Sequence, residues 1–321
     1  MPTIDLSPIL QAVREAAALC RQVQQTHLDR REKAGHEPVT IADYGSQAIL
    51  CRAISQAFPG DAVLAEEHAS QFLEVVAEPQ RAQITRMVSE VLGETVSEAD
   101  IVGWLDYGQG RQARYTWVID PIDGTQGFLA RRRYAIAAGL LDNGQPVGAV
   151  LGSPAYPTPN GDGLLFYALD GQAWVEPLSG GAAQRIHVSE RVEPSSIRVV
   201  ESVEVSHTDP ALTARVLAEA GLAEAHVLEV DSMDKYAMVA CGDAELYLRI
   251  PTIRSYRHKA WDHAAGTALV QAAGGVVTDL NGAPLDFTHG ALLVNNQGMV
   301  VSSGRIHERV LRGIAVALGD K

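Results

Sequence analysis

The sequence predicts an α+β protein, with an antiparallel sheet in its N-terminal part and a layered α/β arrangement in its C-terminal part. Apolar residues recur at helical spacing as far as Phe58. Strand-like runs then alternate with Asp142-Asn143-Gly144 and Asp170-Gly171, dipeptide signals of tight hairpins. Beyond Glu190, short strands alternate with helices, the rhythm of a partly parallel sheet.

Taken in order, Ile9, Leu10, Val13, Ala17, Cys20 and Val23 share one helical face and predict a helix over about 7–28. After a polar break from Gly35 to Val39, Thr40 is expected to cap a helix over 41–58 that Pro59-Gly60 ends. Ala62-Val63-Leu64-Ala65 reads as a buried strand running straight into Glu66-Glu67, and a helix follows between Pro79 and Leu92. Strands are expected over 115–119, 134–141, 146–152, 163–169 and 172–176. The C-terminal alternation is strand 197–201, helix 210–220, strand 227–230, helix 233–241, strand 245–250 and a helix opening at Asp262. No repeat or low-complexity linker separates the parts, so residues 1–190 and 191–321 are expected to share one body.

The chain has 321 residues, 46% hydrophobic and 20% charged, enough to bury a full core. Its net charge of −13 argues against a nucleic-acid polymer as partner, since a phosphate backbone needs a basic face. A small phosphorylated substrate is still allowed, because divalent cations invert the field of a carboxylate-rich site. No run is long and apolar enough for a membrane helix, and Met1 to Asp5 lack a signal-peptide pattern. Cys20, Cys51 and Cys241 are scattered without metal-ligand spacing, so free thiols and a cytoplasmic location are expected.

The chemistry concentrates on Trp117-Val118-Ile119-Asp120-Pro121-Ile122-Asp123-Gly124-Thr125. Asp120 and Asp123 follow a strand, Pro121 fixes one torsion, and Gly124 permits a tight turn. Two carboxylates aimed at one point repel unless a hard cation lies between them. Alone, this run equally fits a solvated acidic turn. Glu66-Glu67 alone fits a solvated pair, Asp262 an N-cap, and Asp43 a residue complementing its helix dipole. Together they place four carboxylate sites at strand ends and helix starts, with oxygen donors that suit Mg²⁺ better than zinc. A P-loop and a Gly-x-Ser-x-Gly elbow are both absent.

The run Trp117 to Phe128, WVIDPIDGTQGF, resembles the signature of the Mg²⁺-dependent, lithium-sensitive phosphatases of the inositol monophosphatase superfamily. Trp261-Asp262-His263-Ala264-Ala265-Gly266 resembles their second signature and Glu66-Glu67 their acidic pair, in the right order. Gln126-Gly127-Phe128-Leu129 is similar to the 3′(2′),5′-bisphosphate nucleotidase branch, as are 38–44, 107–111, 231–236 and 247–251. The likeness extends from about residue 8 to residue 305.

This resemblance implies a layered α/β/α/β/α sandwich. It implies Glu66, Asp120, Asp123, Asp262 and the Ile122 carbonyl as ligands of two or three Mg²⁺ ions, with Asp43 and Thr125 positioning the attacking water. Substrate contacts would come from Thr125, His207, Ser232, Lys235, Arg249 and Asp262, with Lys235 and Arg249 on a retained 5′-phosphate. The implied reaction removes the 3′-phosphate of 3′-phosphoadenosine 5′-phosphate, and possible action on 3′-phosphoadenylyl sulfate goes with it; the alternative is an inositol phosphate. Three departures stand out: Ala65 where glycine is common, His68 where serine is frequent, and Gln126 where the nucleotidases carry lysine. The run Arg131-Arg132-Arg133 is left outside the site as a solvated turn.

Overall fold

The computed structural model describes residues 4–28, 37–203, 209–252 and 256–319. The N-terminal helices are α1 (Ser7–Leu28) and α2 (Glu37–Ala57), and β1 (Ala62–Ala65) follows them. Three shorter helices come next: α3 (Ala69–Val75), α4 (Glu78–Leu92) and α5 (Glu98–Leu105). After β2 (Tyr115–Asp123) and α6 (Thr125–Leu129) runs the meander β3 (Ala135–Asp142), β4 (Gln145–Ser153), β5 (Leu164–Leu169), β6 (Gln172–Pro177) and β7 (Gln184–Arg185). The C-terminal part holds β8 (Arg198–Glu201), α7 (Pro210–Glu219), β9 (His226–Glu229), α8 (Asp234–Ala240) and β10 (Leu246–Arg249). It closes with α9 (Ala264–Ala272), β11 (Val276–Thr278), β12 (Met299–Ser302) and α10 (His307–Leu318).

Strands β1 to β7 form one sheet in sequence order, with β1 parallel to β2 and every later pair antiparallel. The second sheet has the order β11-β12-β10-β8-β9, in which β10, β8 and β9 run parallel and β12 runs against its neighbours. Helices α1 and α2 pack on one face of the large sheet, α9 packs on its other face beside α8, and α7 pairs with α10. Three buried clusters fill the gaps. One joins α1 and α2 to the large sheet, a second joins that sheet to α8, α9 and the small sheet, and a third lies under α7 and α10. The result is the expected α/β/α/β/α layering. The middle cluster takes Val118, Ala137 and Phe166 from one half and Tyr236, Tyr247 and Leu269 from the other.

Close packing sets α9. A Cβ on Gly266 would come within 2.3 Å of the Tyr236 ring, so only glycine lets α9 seat against α8. At the first helix–helix connection the expectation shifts. The described part of helix α2 already runs from Glu37, so Thr40 lies inside the helix and is not its cap; Pro38 is tolerated near a helix start where no N–H partner is needed. Asp43 therefore lies a full turn in, where the helix dipole has little hold on it. Asp262 also differs from expectation: it sits in a turn before α9, whose first flanking residue is His263. Its carboxylate is no N-cap.

Candidate active site

Strand pairing places the acidic residues. Because β1 runs parallel to β2 with Ala65 opposite Ile119, the chain leaving β1 delivers Glu66 beside Asp120. Within β2 the register with β3 shifts between Asp120 and Asp123, a local irregularity at Pro121, which has no N–H to give the ladder. Gly124 then takes φ 87°, and a Cβ there would lie 2.8 Å from the Ser232 side chain. That close approach carries the Asp231-Ser232-Met233 loop onto the strand end. Ser232 itself holds φ 66°, a conformation non-glycine residues adopt at some cost.

A cavity of about 250 Å³ opens where these segments meet. Glu66, Asp120, Ile122, Asp123, Thr125, Ser232, Lys235, Arg249 and Asp262 all line it. Asp43 lies behind this lining, buried on α2 and within electrostatic range of Glu66 and Glu67. His207 falls outside the described residues.

The carboxylates strain against one another. Burial pushes the Asp120 carboxyl well above its ordinary range, and Glu66, Asp123, Asp262 and Asp43 push it further. Asp43 is raised by burial first and by Glu67 and Glu66 second. Glu66 and Asp262 are likewise raised, chiefly by burial and then by neighbouring carboxylates. Asp120 Oδ1 is buried and has no hydrogen-bond partner among the described residues. Among the described residues no three acidic, histidine or cysteine side chains stand in a ready-made ligand group. Repulsion between uncompensated carboxylates disfavours such close gathering. An all-oxygen donor set with an orphaned buried oxygen nevertheless fits a hard divalent cation.

Part of the same lining is cationic. Lys235 Nζ donates to the Val230 carbonyl at 2.9 Å and lies 5.4 Å from the centre of the Tyr247 ring. Burial lowers its pKa to about 8, against the pull of Asp123. Arg249, 5% exposed, donates to the Tyr256 hydroxyl at 3.2 Å and stands 3.9 Å from Asp262. Its Nε is buried without a partner among the described residues, leaving donor capacity in the wall.

Several supporting residues escaped the sequence reading. Gln47 on α2, fully buried, accepts from the Glu67 N–H at 2.9 Å and donates to the Glu67 carbonyl at 2.6 Å. It thereby fixes the acidic pair to α2. Asp231 lines the cavity and holds Arg132 at 3.2 Å. The nucleotidase-like stretch 231–236 was the available signal for Asp231; a mid-helix glutamine offered none for Gln47.

The departures find physical accounts. Ala65 ends β1 outside the positive-φ region, so its Cβ brings no backbone strain. His68 flanks the start of α3 without a side-chain cap, a bond that serine there is well suited to make. Gln126 is exposed and outside the cavity lining, so its missing charge is peripheral.

Residues 5–315 match the inositol monophosphatase family. A probable 3′(2′),5′-bisphosphate nucleotidase 4 of Arabidopsis thaliana is 35% identical, over 99% of this chain and 96% of its own length. The 3′(2′),5′-bisphosphate nucleotidase of Emericella nidulans is 34% identical over 96% of both chains. Among solved structures, an IMPase of Thermotoga maritima superposes with a TM-score of 0.63 at 18% identity, covering 97% of each chain. SuhB of Mycobacterium tuberculosis gives 0.61 at 20% identity, over 97% of this chain and 95% of its own. The fold agrees end to end with these structures, and the sequence agrees end to end with the nucleotidases. This chain belongs to the inositol monophosphatase family.

Proposed function

We propose that the chain is a Mg²⁺-dependent phosphomonoesterase that removes the 3′-phosphate from 3′-phosphoadenosine 5′-phosphate. One observation carries the reading: a single cavity lined both by the carboxylates Glu66, Asp120, Asp123 and Asp262 and by the cations Lys235 and Arg249. A bisphosphate suits it, one phosphate at the metal-binding carboxylates and one at the cations. The nucleotidase relatives support the substrate class. The free thiols of Cys20, Cys51 and Cys241 support a cytoplasmic setting. Among the described residues no helix is long and apolar enough to cross a membrane.

Glu66, Asp120, Asp123, Asp262 and the Ile122 carbonyl would hold Mg²⁺, two ions and a weaker third. Bound there, the metal supplies charge neutralisation, an acidified water and support for the departing alkoxide. The other roles belong to the chain. Asp43 and Thr125 hold the attacking water and take up its proton, a task for which a carboxyl raised by burial is suited. Lys235 and Arg249 bind the retained phosphate, the guanidinium by paired hydrogen bonds. Ser232 contributes a hydroxyl where the loop meets Gly124. Thr125 and Asp262 contact substrate as well.

Phosphate release from 3′-phosphoadenosine 5′-phosphate, inositol 1,4-bisphosphate and inositol monophosphate, each with and without Mg²⁺, tests the reading. The expected result is Mg²⁺-dependent turnover with the nucleotide preferred. A clear preference for inositol monophosphate overturns it.

A further inference from the structure

The arginine run after α6 is not the uniform solvated turn the sequence suggests. Arg133 points inward, 3.5 Å from buried Asp234 and 4.7 Å from the centre of the Tyr156 ring. Arg131 and Arg132 instead line a separate cavity of about 150 Å³, together with Arg21 and Gln24 from α1 and with Tyr134. At roughly 30 Å³ per water, that space holds about five waters, room enough for a tetrahedral oxyanion.

The lining is organised for negative charge. Arg131 Nη2 donates to the Gln24 carbonyl at 3.1 Å, and its backbone takes φ 54°, outside the usual range for a branched-free side chain with a Cβ. Arg21 has no ion-pair partner among the described residues. Tyr134 is 1% exposed, and its hydroxyl has no hydrogen-bond partner among the described residues. Leaving such a group unpaired costs about 1–3 kcal/mol. Arg21 is close enough to act on that hydroxyl electrostatically. A chain of net charge −13 thus keeps a local concentration of guanidinium groups around one small cavity.

We propose that Arg21, Arg131, Arg132 and the Tyr134 hydroxyl form a second oxyanion site, separate from the catalytic cavity. Its ligand is a phosphate or sulfate, free or carried on a larger molecule. The two cavities share one ion pair: Arg132 lines the second, and its partner Asp231 lines the first. An anion that draws on Arg132 weakens its hold on Asp231, so the sites are coupled, and coupling is reciprocal.

Calorimetric titration of the full chain with inorganic sulfate, in Mg²⁺-free buffer held at constant ionic strength with chloride, tests the site. Binding should survive Arg249→Ala and weaken at least tenfold in Arg21→Ala/Arg131→Ala. Tyr134→Phe removes one oxygen and leaves the ring against Phe128, 5.2 Å between centres; it should weaken binding several-fold without loss of fold. O-phosphoserine as a second probe separates the sources: tighter binding than inorganic phosphate marks a carried group, weaker binding a free ion, and loss of either in the double variant supports the site. Sulfate binding unchanged in Arg21→Ala/Arg131→Ala, or abolished by Arg249→Ala alone, overturns the proposal.

Discussion

Most of the acidic lining of the candidate cavity comes from one sheet and the cationic lining from beside the other, and the two are satisfied in different ways. The acidic wall stands at the ends of β1 and β2, the one parallel pair in the large sheet. Its carboxyls are raised by burial and by one another, and Asp120 Oδ1 lacks a partner among the described residues. The cationic wall comes from α8 and β10 beside the small sheet. Lys235 is held by the Val230 carbonyl and Arg249 by the Tyr256 hydroxyl. One wall carries a charge conflict that its own side chains do not resolve. The other is held in place by a carbonyl, a hydroxyl and, at Arg249, the nearby Asp262 carboxylate. The difference teaches where the binding energy lies: the acidic wall gains most from a cation, while the cationic wall has its geometry set before substrate arrives.

Substitution breaks this comparison most sharply at Asp120. Asp120→Asn should lower kcat on the order of 10³-fold or more. Without Mg²⁺ it should melt no lower than the parent, because a buried, repelling charge has gone. Thermal melts with chelator, beside steady-state rates, check both halves. On the cationic wall, Arg249→Ala should cost about 10²-fold in kcat/KM toward a bisphosphate, as loss of a buried charge-assisted contact does. The same variant should lose far less toward a substrate with one phosphate, which kinetics on paired substrates will show.

Gln47 tests whether the acidic wall depends on its backing. Gln47→Ala leaves the Glu67 N–H and carbonyl without their α2 partners. The expected effect is about 1–3 kcal/mol in denaturant stability, with a fall in Mg²⁺ affinity of roughly 10–100-fold. The smallest effect concerns the scaffold of the cationic side. His307, between the Thr278 and Ser302 hydroxyls at 2.9 Å each, is held below its ordinary 6.5 by burial. The unfolded chain therefore binds a proton more readily there. The stabilising contribution is complete above about pH 6.5 and is lost as the pH falls below it. Denaturant titrations from pH 7.5 to 5 should show this decline, and it should be reduced in His307→Gln.

Residues whose role is written in a local pattern were legible. Alternation and hairpin signals placed β3 to β6 within a residue or two, and the acidic runs named nearly all of the cavity's carboxylates before any coordinates. What stayed hidden depends on distant pairing. Helix α3 is short and opens without a side-chain cap, so nothing local announces Ala69–Val75. Taken alone, Asp262 fits an N-cap as well as a ligand; that it precedes α9 in a turn and lines the cavity is settled only by the fold. The arginines showed only their charge; that Arg133 turns inward while Arg131 and Arg132 flank a cavity is decided by Asp234, Asp231 and α1.

The division of labour between the walls is tested most directly by one ratio: kcat/KM for 3′-phosphoadenosine 5′-phosphate over that for adenosine 3′-monophosphate, in the parent chain and in Lys235→Ala/Arg249→Ala, at saturating Mg²⁺. The parent ratio should stand well above one and fall to about one in the variant, with turnover of the monophosphate largely kept. A ratio that the double substitution leaves unchanged would contradict it.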